Sequence, residues 1–218
     1  MDVSIGGGTA APREGSAQKR AAILQSAREL FVTNGVARTS MDAVAARAPA
    51  SKRTVYDYFG NKHQLLLGVI ENAGNTALHT LQTVIDAHLP GDGSFATPSD
   101  MERALEEFAV ELGRALFASS EYVAAVQLIR ENESELPELD GHPLDAAHAK
   151  VLTDRLAELA ARRLLDIDDP ALASEHFSAL TISRVLAGPS SYQADSDHVA
   201  RIARDGAKVF FRAYGFRK

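Results

Sequence analysis

"SKRTVYDYF" occupies residues 51–59: a serine, two basic residues, tyrosines two apart and a closing phenylalanine. Helical spacing places Val55 and Phe59 on one face and turns Lys52, Arg53, Thr54, Tyr56 and Tyr58 outward. Ser51 suits an N-cap, and Gly60 marks the place where the helix should stop. A short helix with one apolar stripe and a basic, hydroxyl-rich outer face is either a solvated bundle helix or a surface that meets a polyanion. The flanking sequence decides between them.

Upstream, from Ala17, apolar residues recur at Ile23, Ala27, Leu30 and Phe31, and Gly35 lies where a C-terminal cap belongs. Ser40 then caps a short segment with Asp42 in its first turn and Met41, Val44 and Ala45 facing inward. "APA" (48–50) separates this segment from the quoted one. Two short helices joined by a three- or four-residue turn describe a helix-turn-helix, whose second helix presents its N-terminal residues to base edges in the major groove. Lysine and arginine neutralise phosphates there, arginine reads guanine with two hydrogen bonds, and hydroxyls donate to phosphate oxygens.

Downstream, Asn61 and Gln64 form a capping box ahead of a periodic run through Leu66, Ile70, Ala73, Ala77, Leu81 and Val84, reaching about His88. After the turn-rich "PGDGSFATP" (90–98), Ser99 with Glu102 reads as a second capping box. Apolar stripes follow at Leu105/Phe108/Leu112/Leu116, Tyr122/Val126/Ile129, His148/Leu152/Leu156/Leu159, Phe177/Leu180 and Val199/Ile202. Asp169–Pro170 opens a helix that Gly188–Pro189 should end. Neither strand alternation nor an internal repeat is present. The expected fold is all-α, about nine helices, three short ones leading and longer ones behind.

The chain has 218 residues, 45% of them hydrophobic, enough for a real core, and no cysteine. Disulfides, thiolate nucleophiles and zinc–thiolate sites are therefore excluded, which fits a reducing cytosol. No apolar run approaches signal-peptide or membrane-span length, so a cytoplasmic protein without membrane contact is expected. The net charge of −6 is unevenly spread: residues 1–65 hold nine Lys and Arg against five Asp and Glu. An acidic body would repel DNA everywhere except through this basic part.

Enzyme signatures are missing: G-x-S-x-G, P-loop and dinucleotide fingerprints do not occur, and "GGG" (6–8) lies outside any helical pattern. His142 and His148 with Asp140 or Asp145 match no helical ligand spacing, so no metal and no cofactor is expected. His148 shares an apolar stripe with Leu152, Leu156 and Leu159. It is a core histidine or the polar contact of a small-molecule pocket, for which Phe108, Leu112, Tyr122, Gln127 and Phe177 are candidate walls or plain core.

The whole stretch "ILQSARELFVTNGVARTSMDAVAARAPASKRTVYDYFGNKHQLLLGVI" (23–70) resembles the N-terminal domain of TetR-family transcriptional regulators. The family's hallmarks occur as Ala27–Leu30–Phe31, Gly35, Thr39–Ser40–Val44–Ala45, Ser51–Thr54–Tyr56–Tyr58–Phe59 and Lys62. "LIRENESELPEL" (128–139) is similar to a segment of one subgroup. The resemblance implies that Ser40 and Lys62 contact phosphates, that Tyr56 and Tyr58 touch the DNA backbone, and that Lys52, Arg53 and Thr54 approach bases. Pro49 departs from the family's usual glycine, whose φ is commonly positive; proline cannot adopt it, so the turn must be built differently. Asp57 reads as solvated.

The implied organisation is a tail (1–16), a DNA-binding domain (17–62) and a ligand-binding and dimerisation domain (63–218). The last two long helices, roughly 170–187 and 197–213, would pair with their two-fold mates. Ala173, Ala179, Ala200, Ala203 and Ala207 would allow close approach there, with Phe177 and Leu180 supplying contact area; the alternative is that these faces only close each subunit's own core. The implied function is a homodimeric repressor released from a pseudo-palindromic DNA operator by a small apolar or amphipathic effector. The alternative is a small-molecule carrier or enzyme on the same fold that no longer binds DNA.

Overall fold

A computed structural model describes residues 11–92, 94–139 and 143–215. The helices are α1 (Ala11–Asn34), α2 (Met41–Arg47), α3 (Lys52–Phe59), α4 (Lys62–His88), α5 (Pro98–Ala118) and α6 (Ser120–Asn132). Then follow α7 (Pro143–Ala161), α8 (Pro170–Leu180), α9 (Ile182–Leu186), α10 (Ser190–Ala194) and α11 (Ser196–Tyr214). Two 3₁₀ turns, Glu133–Glu135 and Pro137–Leu139, lie between α6 and α7. The fold is all-α; among the described residues the β-pairing is a single bridge between Leu165 and Gly215. No helix among them is long and apolar enough to cross a membrane.

Contacts divide the chain into two compact units, residues 1–73 with 124–132, and residues 74–123 with 133–218. Helix α1 begins at Ala11, so residues 11–16, expected as tail, are helical; residues 1–10 lie outside the described residues. Pro12 falls in the first turn, where its missing N–H is no loss, and Ala11 before it is a good helix former.

In the first unit the expected caps are all present. Gly35 takes φ 81° and donates its N–H to the Phe31 carbonyl. The Ser40 hydroxyl accepts from the Ala43 N–H, that of Ser51 from Thr54, and the Asn61 amide oxygen from Gln64. Ile23, Ala27 and Phe31 of α1, Val44 of α2 and Val55 of α3 are fully buried. Gly68 of α4 lies so close to Phe59 that a Cβ there would stand 3.0 Å from the ring.

In the second unit α5 and α11 cross closely at Gly113, where a Cβ would meet Val199 at 3.0 Å. Phe108 stacks on Phe177 at 5.4 Å, and Phe177 meets Phe210 edge-on at 5.2 Å. These three rings are fully buried with Leu105, Leu156 and Leu159.

Two sequence expectations fail here. The N-cap of α5 is Thr97, not Ser99: Thr97 accepts from the Asp100 N–H, and Pro98 fills the first helical position. The helix expected over 170–187 opens properly at Asp169 but breaks at Thr181, whose φ of −114° and ψ of −92° are not helical. A Cβ on Gly206 of α11 would collide with the Leu180 carbonyl, so α11 lies directly against the break. The buried Thr181 hydroxyl donates to the Phe177 carbonyl at 2.7 Å.

Ala173, Phe177, Ala200, Ala203 and Ala207, expected at a dimer face, are buried within the single chain, while Ala179 is exposed and Leu180 half-buried.

Candidate nucleic-acid interface

Helix α3 presents the outer face that its spacing requires. Val55 is fully buried and Phe59 nearly so, while Lys52, Arg53, Tyr56 and Tyr58 are exposed and Thr54 is half-buried. The turn that carries α3 is built without a left-handed residue: Ala48 has φ −76° and ψ 147°, Ser51 has φ −71° and ψ 154°, and no positive φ occurs over 48–51. Extended geometry at Ala48 is what a following proline demands. The Ala50 N–H closes the turn on the Ala48 carbonyl at 2.7 Å.

Four of the five outward groups have a polar partner. The Lys52 ammonium donates to Asp42 Oδ2 of α2 at 2.8 Å, a hydrogen bond that holds its pKa above the ordinary lysine value. It also lies 6.0 Å from the Tyr56 ring centroid. Arg53 Nε stands 3.7 Å from Asp57 Oδ2, one turn along α3. The Thr54 hydroxyl is 2.8 Å from that of Ser51, so it serves the helix cap as well as the outer face. The Tyr58 hydroxyl lies 2.6 Å from Ser16 Oγ and donates to the Ser16 carbonyl at 3.1 Å. Tyr56 Oη has no such tether among the described residues, and the residue is 41% exposed.

Lys62, expected at a phosphate, has backbone partners within the chain. Its half-buried side chain donates to the carbonyls of Val36 at 2.8 Å and Ala37 at 3.1 Å, fastening the start of α4 to the turn after α1. Ser40 is exposed at the N-terminus of α2, with its hydroxyl occupied by the Ala43 N–H. Thr39 anchors the same turn from beneath, donating to the carbonyls of Gly35 at 2.9 Å and Leu30 at 3.2 Å. Arg47 Nε donates to Glu29 at 2.9 Å, tying α2 to α1 and lowering the Glu29 pKa.

The expected ligand residues are less united. Phe108, Leu112 and Phe177 belong to the core of the second unit. Tyr122 packs edge-on against Phe117, and burial pushes its phenol up to about 12. His148 is half-buried, whereas Gln127 is exposed, bonds Glu131 and belongs to the first unit. A recess of about 310 Å³ in the second unit is lined by other residues, among them Gln82, Asp86, Val151 and Arg155. Arg155, which nothing in the sequence singled out, donates to the carbonyls of Ile85 and Leu89, to Asp86 at 2.8 Å, and pairs with Glu158 at 3.0 Å. Asp140 and His142 lie outside the described residues, and no group of three metal-ligating side chains occurs among the described ones.

Comparison with known proteins agrees with this geometry. Residues 23–69 match the bacterial regulatory proteins of the tetR family, and residues 103–216 match the C-terminal domain of AefR-like transcriptional repressors. The HTH-type transcriptional repressor Rv3405c of Mycobacterium tuberculosis is 31% identical over 151 residues, 69% of this chain and 70% of that protein. The chain belongs to the TetR family. It is a DNA-binding transcriptional repressor and not an enzyme. The HTH-type repressor SCO4008 of Streptomyces coelicolor is 39% identical over 52 residues, covering 24% of this chain and 27% of its own length.

Among solved structures, a TetR-family regulator of Mesorhizobium loti superposes with a TM-score of 0.75 at 24% identity, covering 92% of this chain and 98% of its own. The flavonoid-responsive regulator FrrA superposes with a TM-score of 0.59 at 25% identity, covering 93% and 100%.

Proposed function

We propose that this TetR-family protein is a cytoplasmic homodimer that binds a pseudo-palindromic operator and is released from it by a small organic effector. The observation that carries the reading is α3, where Lys52, Arg53, Tyr56 and Tyr58 stand outward from a buried Val55–Phe59 stripe behind the Ser51 cap. Lys52 and Arg53 approach base edges and phosphates, Thr54 sits at the groove wall, and Tyr56, Tyr58 and Ser40 contact the backbone. A two-fold protein places two such helices in successive major grooves about 34–36 Å apart.

Dimerisation uses the outward side of α8 and α11, where Leu172 and Val209 are each more than 40% exposed and Ala179 leaves room for close approach. The effector is apolar or amphipathic and enters the second unit, with Phe108, Leu112, Tyr122, His148 and Phe177 as the candidate walls. The Phe108–Phe177 stack must part to admit it. Tyr122, whose phenol is protonated at neutral pH, is the natural donor to such a ligand. FrrA, itself described as flavonoid-responsive, supports an aromatic ligand of this type.

The experiment is a duplex selected by the protein from a random pool, followed by shift assays across salt concentrations. A two-fold symmetric site bound by a dimer, with affinity falling steeply in salt, is expected. A ligand found by thermal shift should weaken that binding, and by linkage bind the DNA complex less tightly by the same factor. Failure to select or shift any duplex would leave the small-molecule carrier reading instead.

A further inference from the structure

Two carboxylates face the cations that α3 turns outward. Asp42 of α2 accepts from Lys52 at 2.8 Å, and Asp57 of α3 lies 3.7 Å from Arg53. All four side chains are more than half exposed, so neither pair is forced by burial. We propose that Asp42 and Asp57 are specificity-determining residues, holding Lys52 and Arg53 back from random DNA and yielding them only to the correct site. The inference rests on α3 being the DNA-reading helix and concerns how it discriminates.

The argument begins with what random binding is. Its driving force is release of counterions from phosphates by protein cations, and it needs no fixed geometry. A lysine already neutralised by a carboxylate contributes little to that release. At the correct site the situation differs, because guanine N7 and O6 offer an arginine two fixed acceptors, and the docked register sets a phosphate at a fixed place. Exchange of an aspartate for these acceptors is then favourable. Exposed pairs are individually weak, so each can be opened by a good acceptor and still bias against a poor one. The pairs also orient their cations: Asp42 reaches across from α2 and Asp57 lies one turn along, which holds both side chains over the outer face of α3.

A simpler effect must be distinguished. Removing two negative charges strengthens binding to every duplex alike by raising the local field. The ratio of specific to random affinity separates the two, because a uniform field leaves it unchanged.

The test uses the full chain, a duplex selected by the wild type from a random pool, and a scrambled duplex of equal length. Asp42→Asn, Asp57→Asn and the double variant are measured against both across a range of salt. The specificity ratio should fall about threefold or more in the double variant, because random binding gains more than specific binding. The salt slope on scrambled DNA should steepen by about 0.9 for each cation set free, with little change on the selected duplex. In a Lys52→Gln background, Asp42→Asn should leave the ratio where it was.

Equal strengthening on both duplexes, or a ratio that rises, overturns the proposal and reduces the aspartates to net charge. Asp42 also stands in the first turn of α2, so the melting temperature of each variant is recorded. If Asp42→Asn unfolds, Asp57→Asn alone carries the decision. A wild type that binds selected and scrambled DNA equally, or neither, defeats the DNA-reading assignment of α3 and the filter with it.

Discussion

Gly206 lies against the Leu180 carbonyl so closely that no Cβ fits between them. At the break between α8 and α9, α11 therefore approaches backbone to backbone. Gly206→Ala should destabilise the protein by about 1–3 kcal/mol, since backbone must shift to admit the methyl group. Chemical denaturation of the variant checks this; an unchanged midpoint would mean that α11 is free to move off the break.

Lys62 offers a second test, because its structural and expected roles predict different readouts. With its ammonium on the Val36 and Ala37 carbonyls, Lys62→Met should lower stability by about 1–2 kcal/mol. The salt slope of DNA binding should then stay the same. A slope reduced by about 1 at unchanged stability would restore Lys62 to a phosphate contact.

Pro49 sits in a turn without a positive φ, so proline's fixed negative φ does not conflict with it. Pro49→Gly should lower stability by about 0.4–1 kcal/mol through the greater freedom of the unfolded chain. Thermal melts of the two proteins decide it, and a more stable glycine variant would reveal hidden strain.

Tyr122 makes the protein sensitive to alkali. Its phenol ionises near 10 when unfolded but only at about 12 when folded, so the unfolded state loses its proton first. Stability is full below pH 10 and declines as pH rises from 10 to 12, by at most about 2–3 kcal/mol. Tyr122→Phe should flatten this decline relative to wild type in urea titrations at pH 9 and pH 11.

The sequence was most readable where structure is local. Ser40, Ser51, Asn61 and Asp169 cap their helices because a side-chain oxygen two or three residues ahead of an N–H needs no knowledge of the rest. The outer face of α3 follows from the spacing of Val55 and Phe59 in the same way. Thr97 was missed although local, because Ser99 with Glu102 mimics the pattern that Thr97 and Pro98 fulfil.

What stayed hidden depends on distant partners. The acceptors of Lys62 lie 25 and 26 residues upstream, and Ser16 is 42 residues from the Tyr58 it bonds. "SALTISRV" contains neither glycine nor proline to announce the break at Thr181, and Gly206, which lies against it, is far along the chain. Phe108 and Phe177 looked equally suited to core or cavity. Periodicity marks a face as apolar and leaves open whether rings or a ligand cover it.

Arg155 binds the closing turn of α4 to α7 through the Ile85 and Leu89 carbonyls. Most helix ends fray independently, exposing their last amides in brief local openings. Here the end of α4 can open only when the guanidinium lets go. The last turns of α4 and the middle of α7 consequently form one cooperative opening unit, and their amides should exchange with solvent deuterium at a common free energy. Replacing Arg155 would split that unit, so that the end of α4 exchanges early while α7 keeps its protection.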